Sequence, residues 1–360
     1  MINKIISKAP ARVCLFGDHQ DYLNLPIIAT TINRNIEVKA KHNNTRYLNI
    51  YKKDLSEHDY INIDKDVDEN ETDLLKVALK VLQDYSCFPD KGYDIVISSN
   101  IPINSGLSSS SALVVAWVNF LLATFTNKKV TSEILSEISY RVEVTEMGGS
   151  GGKMDQYTIS YGETIFLDTL NDKVITYDHE LCDMIIGVSN QVKNTQGLLK
   201  KLKRNALLSI DLISKKFPKF NIHETSSFDL EKCLSELDKS IQPYFRAAIG
   251  NHRITLNAQK EFNQPSLNIK TISRLMNEHH DFLKNDLKIT IPEIDKMIDI
   301  ANQNGSLASK IVGSGGGGSI VCLSNDENIS HNIVKEFKKI GVKEAFIANK
   351  GTGPKILINE

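Results

Sequence analysis

Ile101-Pro-Ile-Asn-Ser-Gly-Leu-Ser-Ser-Ser-Ser-Ala-Leu113 is a small-residue turn that feeds directly into an apolar run. Pro102 and Gly106 forbid a regular helix up to that point, whereas Ala112, Leu113, Val114, Val115, Trp117, Val118, Phe120 and Leu121 predict a mostly buried helix beyond it. Ser108, Ser109, Ser110 and Ser111 then sit at a helix N-terminus, where N–H groups lacking helical partners and the positive end of the macrodipole favour a phosphate. A serine cap on a core helix accounts for the same residues. The predicted strand Tyr93–Ser98 delivers the chain to this turn, yet no G-x-x-x-x-G-K-[ST] occurs: Gly152-Lys153 lacks the upstream glycine and is followed by Met154. A phosphate site here is built in another way.

Upstream, Lys4–Ser7, Ala11–Phe16, Pro26–Ile32 and Ile36–Ala40 read as four strands, followed by a fifth at Tyr47–Tyr51 and a helical stripe over Leu74–Tyr85. Between the second and third lies Gly17-Asp-His-Gln-Asp-Tyr22, which puts Asp18, His19 and Asp21 at the end of an apolar strand. Two acceptors and an imidazole within four residues suit a ring of hydroxyls; a solvated turn would also carry Asp at such positions. Downstream, a helix over Thr131–Met147, with Glu143 among its charges, runs into Gly148-Gly-Ser-Gly-Gly-Lys-Met-Asp-Gln156. Backbone freedom is thus concentrated just before Asp155, and close approach of the backbone to a ligand is a reason to keep it.

Tyr157–Leu170 is expected to return to strand character, and Met184–Ser189 reads as another strand. A basic run over Lys193–Arg204 opens a long helical region reaching about residue 285 and resembles a solvated helix face. After a helix at Pro292–Asn302 comes Ser309-Lys-Ile-Val-Gly-Ser-Gly-Gly-Gly-Gly-Ser-Ile-Val-Cys322. Gly313, Gly315 and Gly318 satisfy G-x-G-x-x-G formally, but a strand follows, so a dinucleotide-binding turn is excluded in favour of a glycine turn between strands. A helix at Ser330–Lys339 and a strand at Lys343–Ala348 close the pattern.

The 360 residues, 41% hydrophobic and 24% charged, suffice for two packed domains. With 43 basic and 44 acidic residues the formal net charge is −1, which gives no global field for nucleic acid or an anionic membrane. The odd count of five scattered cysteines, without a C-x-x-C pair, argues for free thiols in a reducing compartment. The N-terminus has no signal-like apolar run and no segment approaches a membrane span, so a cytoplasmic location is expected.

Three stretches in order, Ala9-Pro-Ala-Arg-Val-Cys-Leu-Phe-Gly-Asp-His19, Pro102-x-x-x-Gly-Leu-Ser-Ser-Ser-Ser-Ala112 and Lys310-Ile-Val-Gly-Ser-Gly-Gly-Gly-Gly318, resemble the signature motifs of the GHMP kinases. Within that superfamily the chain is most similar to the galactokinases: Gly17–Tyr22 resembles their Gly-Glu-His-Thr-Asp-Tyr and Met154-Asp-Gln156 their Met-Asp-Gln, while Leu275–His279 and Pro292–Asp295 match their C-terminal half. The resemblance implies an α/β (α+β) two-domain kinase. Its N-terminal domain, of ribosomal S5 domain 2-like type, is expected over 1–185 and its ferredoxin-like C-terminal domain over 186–360, with ATP and Mg²⁺ between them. It further implies Asp155 as catalytic base with Arg12 beside it, Asp18, His19, Asp21 and Gly152 as sugar contacts, and Ser110 and Glu143 as Mg²⁺ ligands. ATP contacts are implied at Gly106, Leu107, Ser108, Ser109, Ser110, Ser111, Gly315 and Gly316.

The implied reaction is phosphorylation of a sugar at its anomeric hydroxyl, with galactose or a close relative as substrate. A mevalonate-type isoprenoid kinase and a catalytically inactive sugar sensor are the alternatives. Three departures bear on the sugar, the first being that Asp18 is one methylene shorter than the usual Glu. Leu23-Asn-Leu25 stands where galactokinases carry two glycines, and Ser189-Asn-Gln-Val-Lys-Asn194 is not followed by their sugar-contacting tyrosine.

Overall fold

The apolar run after the serine turn is buried on nearly all sides: Trp117, Val118, Phe120 and Leu121 are fully enclosed. A helix apolar all round belongs inside a layer, and this one lies between strands of the first sheet and neighbouring helices. The computed structural model describes residues 4–191, 195–224 and 228–359. In chain order its elements are β1 (Lys4–Phe16), β2 (Ile27–His42), β3 (Tyr47–Lys52), β4 (Glu57–Asn62), α1 (Leu74–Gln83), β5 (Tyr93–Ser99), α2 (Ser109–Phe125), α3 (Ser132–Tyr140), α4 (Met154–Tyr161), β6 (Thr164–Asp168), β7 (Lys173–Tyr177) and β8 (Asp183–Val188). There follow α5 (Thr195–Lys216), α6 (Leu230–Ser235), α7 (Gln242–Phe262), α8 (Ile269–Asp281), α9 (Pro292–Gln303), β9 (Ala308–Val312), β10 (Ser319–Ser324), α10 (Glu327–Lys339), β11 (Glu344–Ala348) and β12 (Lys355–Asn359).

An eight-stranded sheet runs β12-β1-β2-β5-β3-β4, with β6 also paired to β2 and β7 to β6; a four-stranded sheet runs β11-β8-β10-β9. The second sheet is antiparallel throughout, as expected for a ferredoxin-like half. The sheets do not divide the chain at one point. All six residues of β8 pair with β10, so the expected division at 185/186 falls inside a strand of the second sheet. The last strand, β12, crosses back to pair with β1. One apolar core also runs through both parts, joining Phe16, Ile28 and Trp117 to Ile186, Val312 and Val321.

The four short strands expected before residue 40 are two long ones. Proline and asparagine are accommodated by a register shift, Pro10 pairing with Asn35 and Ala11 with Ile32, so β2 bulges at Asn33-Arg34 instead of turning. The strand character expected over Tyr157–Leu170 is confined to β6, and Tyr157 instead belongs to α4, where Met154 and Tyr157 pack against Cys14, Ile27 and Ile165 while Ile159 joins the main core. Tertiary burial of those side chains overrides their β preference. Among the described residues, no helix is long and apolar enough to cross a membrane.

Candidate active site

The end of β1, the serine turn and the glycine-rich segment before α4 converge on a cleft of about 390 Å³. Arg12, Asp18, His19, Asp21, Gly106, Ser108, Ser109, Ser110, Ser111, Glu143, Gly152 and Asp155 all line it, although they lie up to 143 residues apart in sequence. Leu107, Gly315 and Gly316 do not. Leu107 is fully buried and its carbonyl accepts from the Arg12 N–H at 3.2 Å. Gly315 packs on Ile289, where an added Cβ would lie 2.5 Å from the isoleucine Cβ, and the Gly316 N–H donates to the Ile289 carbonyl at 2.7 Å. Gly313 and Ser314 present the third motif to the cleft instead.

Asp155 occupies the first turn of α4 and is held from two sides. Arg12 Nε donates to Oδ1 at 2.7 Å and Ser108 Oγ donates to Oδ2 at 2.6 Å, while the second arm of the guanidinium donates to the Gly106 carbonyl at 2.7 Å. Burial opposes the Arg12 charge, but the carboxylate beside it raises the guanidinium above its ordinary value. An ionised carboxylate has about four lone-pair positions, so Asp155 retains acceptor capacity after both bonds. Ser108 therefore serves the carboxylate rather than the helix: it precedes α2 at φ 60 and makes no side-chain cap. The N–H groups at the α2 start are left to whatever occupies the cleft.

Glu143 stands on a π-helical turn, Arg141–Thr145, that continues α3. Its Oε2 accepts from Gln156 Nε2 at 2.6 Å. Burial raises its pKa, with the hydroxyls of Ser110 and Ser111 acting in the opposite direction and the charge of Asp155 adding to the rise. Among the described residues no group of three or more His, Cys, Asp or Glu is arranged to hold a metal. Mg²⁺ asks for less, since it keeps waters and phosphate oxygens and takes one or two protein oxygens. A carboxylate set among serine hydroxyls at a helix start is a suitable donor set.

On the opposite wall, Asp21 opens a short 3₁₀ turn, Asp21–Leu23, and accepts from the N–H of Tyr22 at 3.0 Å and of Met154 at 3.2 Å. Gly152 presses against it: an added Cβ would lie 2.3 Å from Asp21 Cγ. The turn closes at Asn24 with φ 58, a left-handed residue that asparagine tolerates, while Leu23 and Leu25 are buried against α5–α7. This is how the chain does without the paired glycines there. His19 Nδ1 lies 3.1 Å from the Tyr22 hydroxyl. Leu199 of α5 lines the cleft, and Lys203 places its ammonium 5.7 Å from the Tyr22 ring centre. Val192, Lys193 and Asn194, the end of the segment that departs from the galactokinase pattern, lie outside the described residues.

Burial, then the charge of Asp155, pushes Asp21 up from its ordinary 3.8 to about 6. A carboxyl raised on folding stabilises the native state below its unfolded value, and that contribution is lost as pH rises through about 6. Wild-type protein should therefore lose on the order of 2 kcal/mol relative to Asp21→Asn between about pH 4 and about pH 7. Urea midpoints of both proteins at the two pH values measure this, and a difference independent of pH rejects it.

Asp18 behaves differently from the contact expected of it. It is 1% exposed and Lys310, fully buried on β9, donates to Oδ2 at 2.6 Å, while the Gly313 N–H donates to Oδ1 at 3.0 Å. Burial alone would raise its pKa; Lys310, aided by His279, instead brings it down to about 2. Reading by motif missed Lys310. The available signal was a lysine directly before the apolar residues Ile311 and Val312 of a short strand, a position that demands a partner if buried.

Residues 73–163 match the family of GHMP kinases N terminal domains and residues 259–343 that of GHMP kinases C terminal domains. The chain is 26% identical over 354 residues to a galactokinase of Mannheimia succiniciproducens, covering 94% of this chain and 91% of that one. Its fold is similar to that of Lactococcus lactis galactokinase crystallised with galactose (TM-score 0.83, 22% identity, 98% and 95% of the two chains). It is also similar in fold to Methanococcus jannaschii mevalonate kinase (TM-score 0.71, 22% identity, 96% and 98%).

Proposed function

The chain belongs to the GHMP kinases, and on that premise we propose that it is an ATP-dependent sugar 1-kinase acting on galactose or a closely related sugar. The observation that carries this reading is Asp155, held between Arg12 and Ser108, with the Asp21 turn on one side and the start of α2 on the other. Asp155 accepts the proton of the anomeric hydroxyl as that oxygen bonds to the γ-phosphorus of ATP and the bond to the β-phosphate oxygen breaks, giving sugar 1-phosphate and ADP. Arg12 supplies the counter-charge beside the base. The N–H groups and hydroxyls of Ser109, Ser110 and Ser111 hold phosphate oxygens, and His19 and Asp21 orient the sugar. Phosphoryl transfer is largely positioning and charge stabilisation, which suits a site of one carboxylate and many fixed donors.

Glu143 and Ser110 would hold Mg²⁺, which when bound neutralises charge on the phosphates. Glu143→Gln should then raise the Mg²⁺ concentration needed for half-maximal rate by about tenfold or more. A titration of rate against Mg²⁺ that superimposes on wild type makes Glu143 a half-buried helix charge held by Gln156.

ADP release from ATP and Mg²⁺, measured over galactose, N-acetylgalactosamine, galacturonate, arabinose, glucose and mevalonate, tests the function. Turnover of a galacto-configured sugar or arabinose is the expected result. Preference for glucose or mevalonate overturns the sugar assignment, and no turnover of any compound favours a sensor.

A further inference from the structure

We propose that Asp18 and Lys310 form a buried clasp that couples the sugar-side loop to the third glycine turn, Asp18 acting as a positioning residue rather than a sugar contact. The inference rests on the kinase reading above for the identity of the two ligands. Lys310 lies in the middle of β9, just ahead of the glycines, and its side chain reaches from the second sheet to the end of β1. There its ammonium donates to the Cys14 carbonyl at 3.0 Å and to Asp18 Oδ2 at 2.6 Å. The other carboxylate oxygen accepts from the N–H of Gly313, where the glycine turn begins. Asp18 thus bridges a side chain and a main-chain donor of the same segment, and both of its oxygens are engaged within the protein.

The far end of the glycine turn is tied as well. Ser319 Oγ donates to the Ser105 carbonyl at 2.6 Å, a buried bond to the serine turn. One segment therefore holds the sugar loop at Gly313 and the phosphate-side turn at Ser319. Gly313, Ser105 and Asp18 all line the same cleft. Such an arrangement makes the separation of the two ligand walls depend on the clasp. A direct sugar contact predicts something else: loss of Asp18 would weaken the sugar alone.

A buried ion pair loses stability when one partner is removed, because the other charge is left without compensation. Folding and positioning must therefore be separated in the test. Dissociation constants for the preferred sugar and for a non-hydrolysable ATP analogue are measured by calorimetry on Lys310→Met, Asp18→Asn and the double variant, well below each melting temperature. The clasp predicts that each single variant weakens both ligands, by about tenfold or more, and that the double variant is no weaker than the singles, since the pair acts as a unit. Should a single variant fail to fold, the double variant, which removes both buried charges, still decides. Wild-type constants for both ligands in a folded variant mean a purely structural pair and overturn the inference. Weakening of the sugar alone restores Asp18 as a contact and overturns it too. The nucleotide measurement needs no sugar, so a wild type that phosphorylates nothing on the panel defeats the functional reading while leaving the clasp testable.

Discussion

Asp155→Asn lowers kcat by on the order of 10²-fold or more, with nucleotide affinity close to wild type. The asparagine is isosteric and can still accept from Arg12 Nε or Ser108 Oγ, so the architecture around it survives. What disappears is a basic oxygen to take the proton of the attacking hydroxyl. Its amide oxygen can face Arg12 Nε and its N–H₂ can donate to the Ser108 hydroxyl, which then accepts, so both contacts are kept. The loss therefore falls on the chemical step and not on ATP binding. Steady-state kinetics together with calorimetric binding of an ATP analogue make the comparison, and near-wild-type turnover would remove Asp155 from the mechanism.

Arg12→Met is the second large effect, expected to lower kcat by about 10²-fold and to reduce stability by roughly 2 to 4 kcal/mol. The guanidinium is 4% exposed and does three things at once: it pairs with Asp155, donates to the Gly106 carbonyl and fills the space beneath the serine turn. Methionine fills much of that space, but leaves Asp155 without its counter-charge and a carbonyl without its donor. Asp155 is about a quarter exposed on its side chain, so water recovers part of the loss, which is why the lower end of the buried-pair range is expected. Arg12→Lys keeps the charge and lacks the fork that reaches both acceptors, so it should recover only part of the rate. Chemical denaturation and kcat on the three proteins check this. Equal activity of the lysine variant and wild type would show that charge alone is needed, not the two-point geometry.

The serine turn and the helix after it were legible because local sequence controls them: Pro102 and Gly106 exclude helix, and an apolar stretch of helical length follows. The same holds for the glycine run before Asp155, where the close approach of Gly152 to Asp21 explains a residue without a side chain. The clustering of Arg12, Asp21, Ser108, Glu143 and Asp155 was expected only through resemblance to known motifs, since nothing in the spacing of residues 143 positions apart encodes a contact.

Sequence by itself determined the serine turn before a buried helix, the absence of a P-loop, the carboxylates at a strand end and the glycine turn between two late strands. Those follow from short-range effects: permitted φ values, side-chain periodicity and helix-end chemistry. Tertiary structure decided that Tyr157 belongs to a helix, that Gly313 and Ser314 rather than Gly315 and Gly316 face the cleft, and that the chain returns to its first sheet at β12. It also decided that Ser108 serves Asp155 and that Asp18 is held by Lys310 from 292 residues away. The reason is common to all of them. A buried polar group takes its partner from whatever the packed core brings within hydrogen-bond distance, and the energy that selects that partner exists only after water has been excluded.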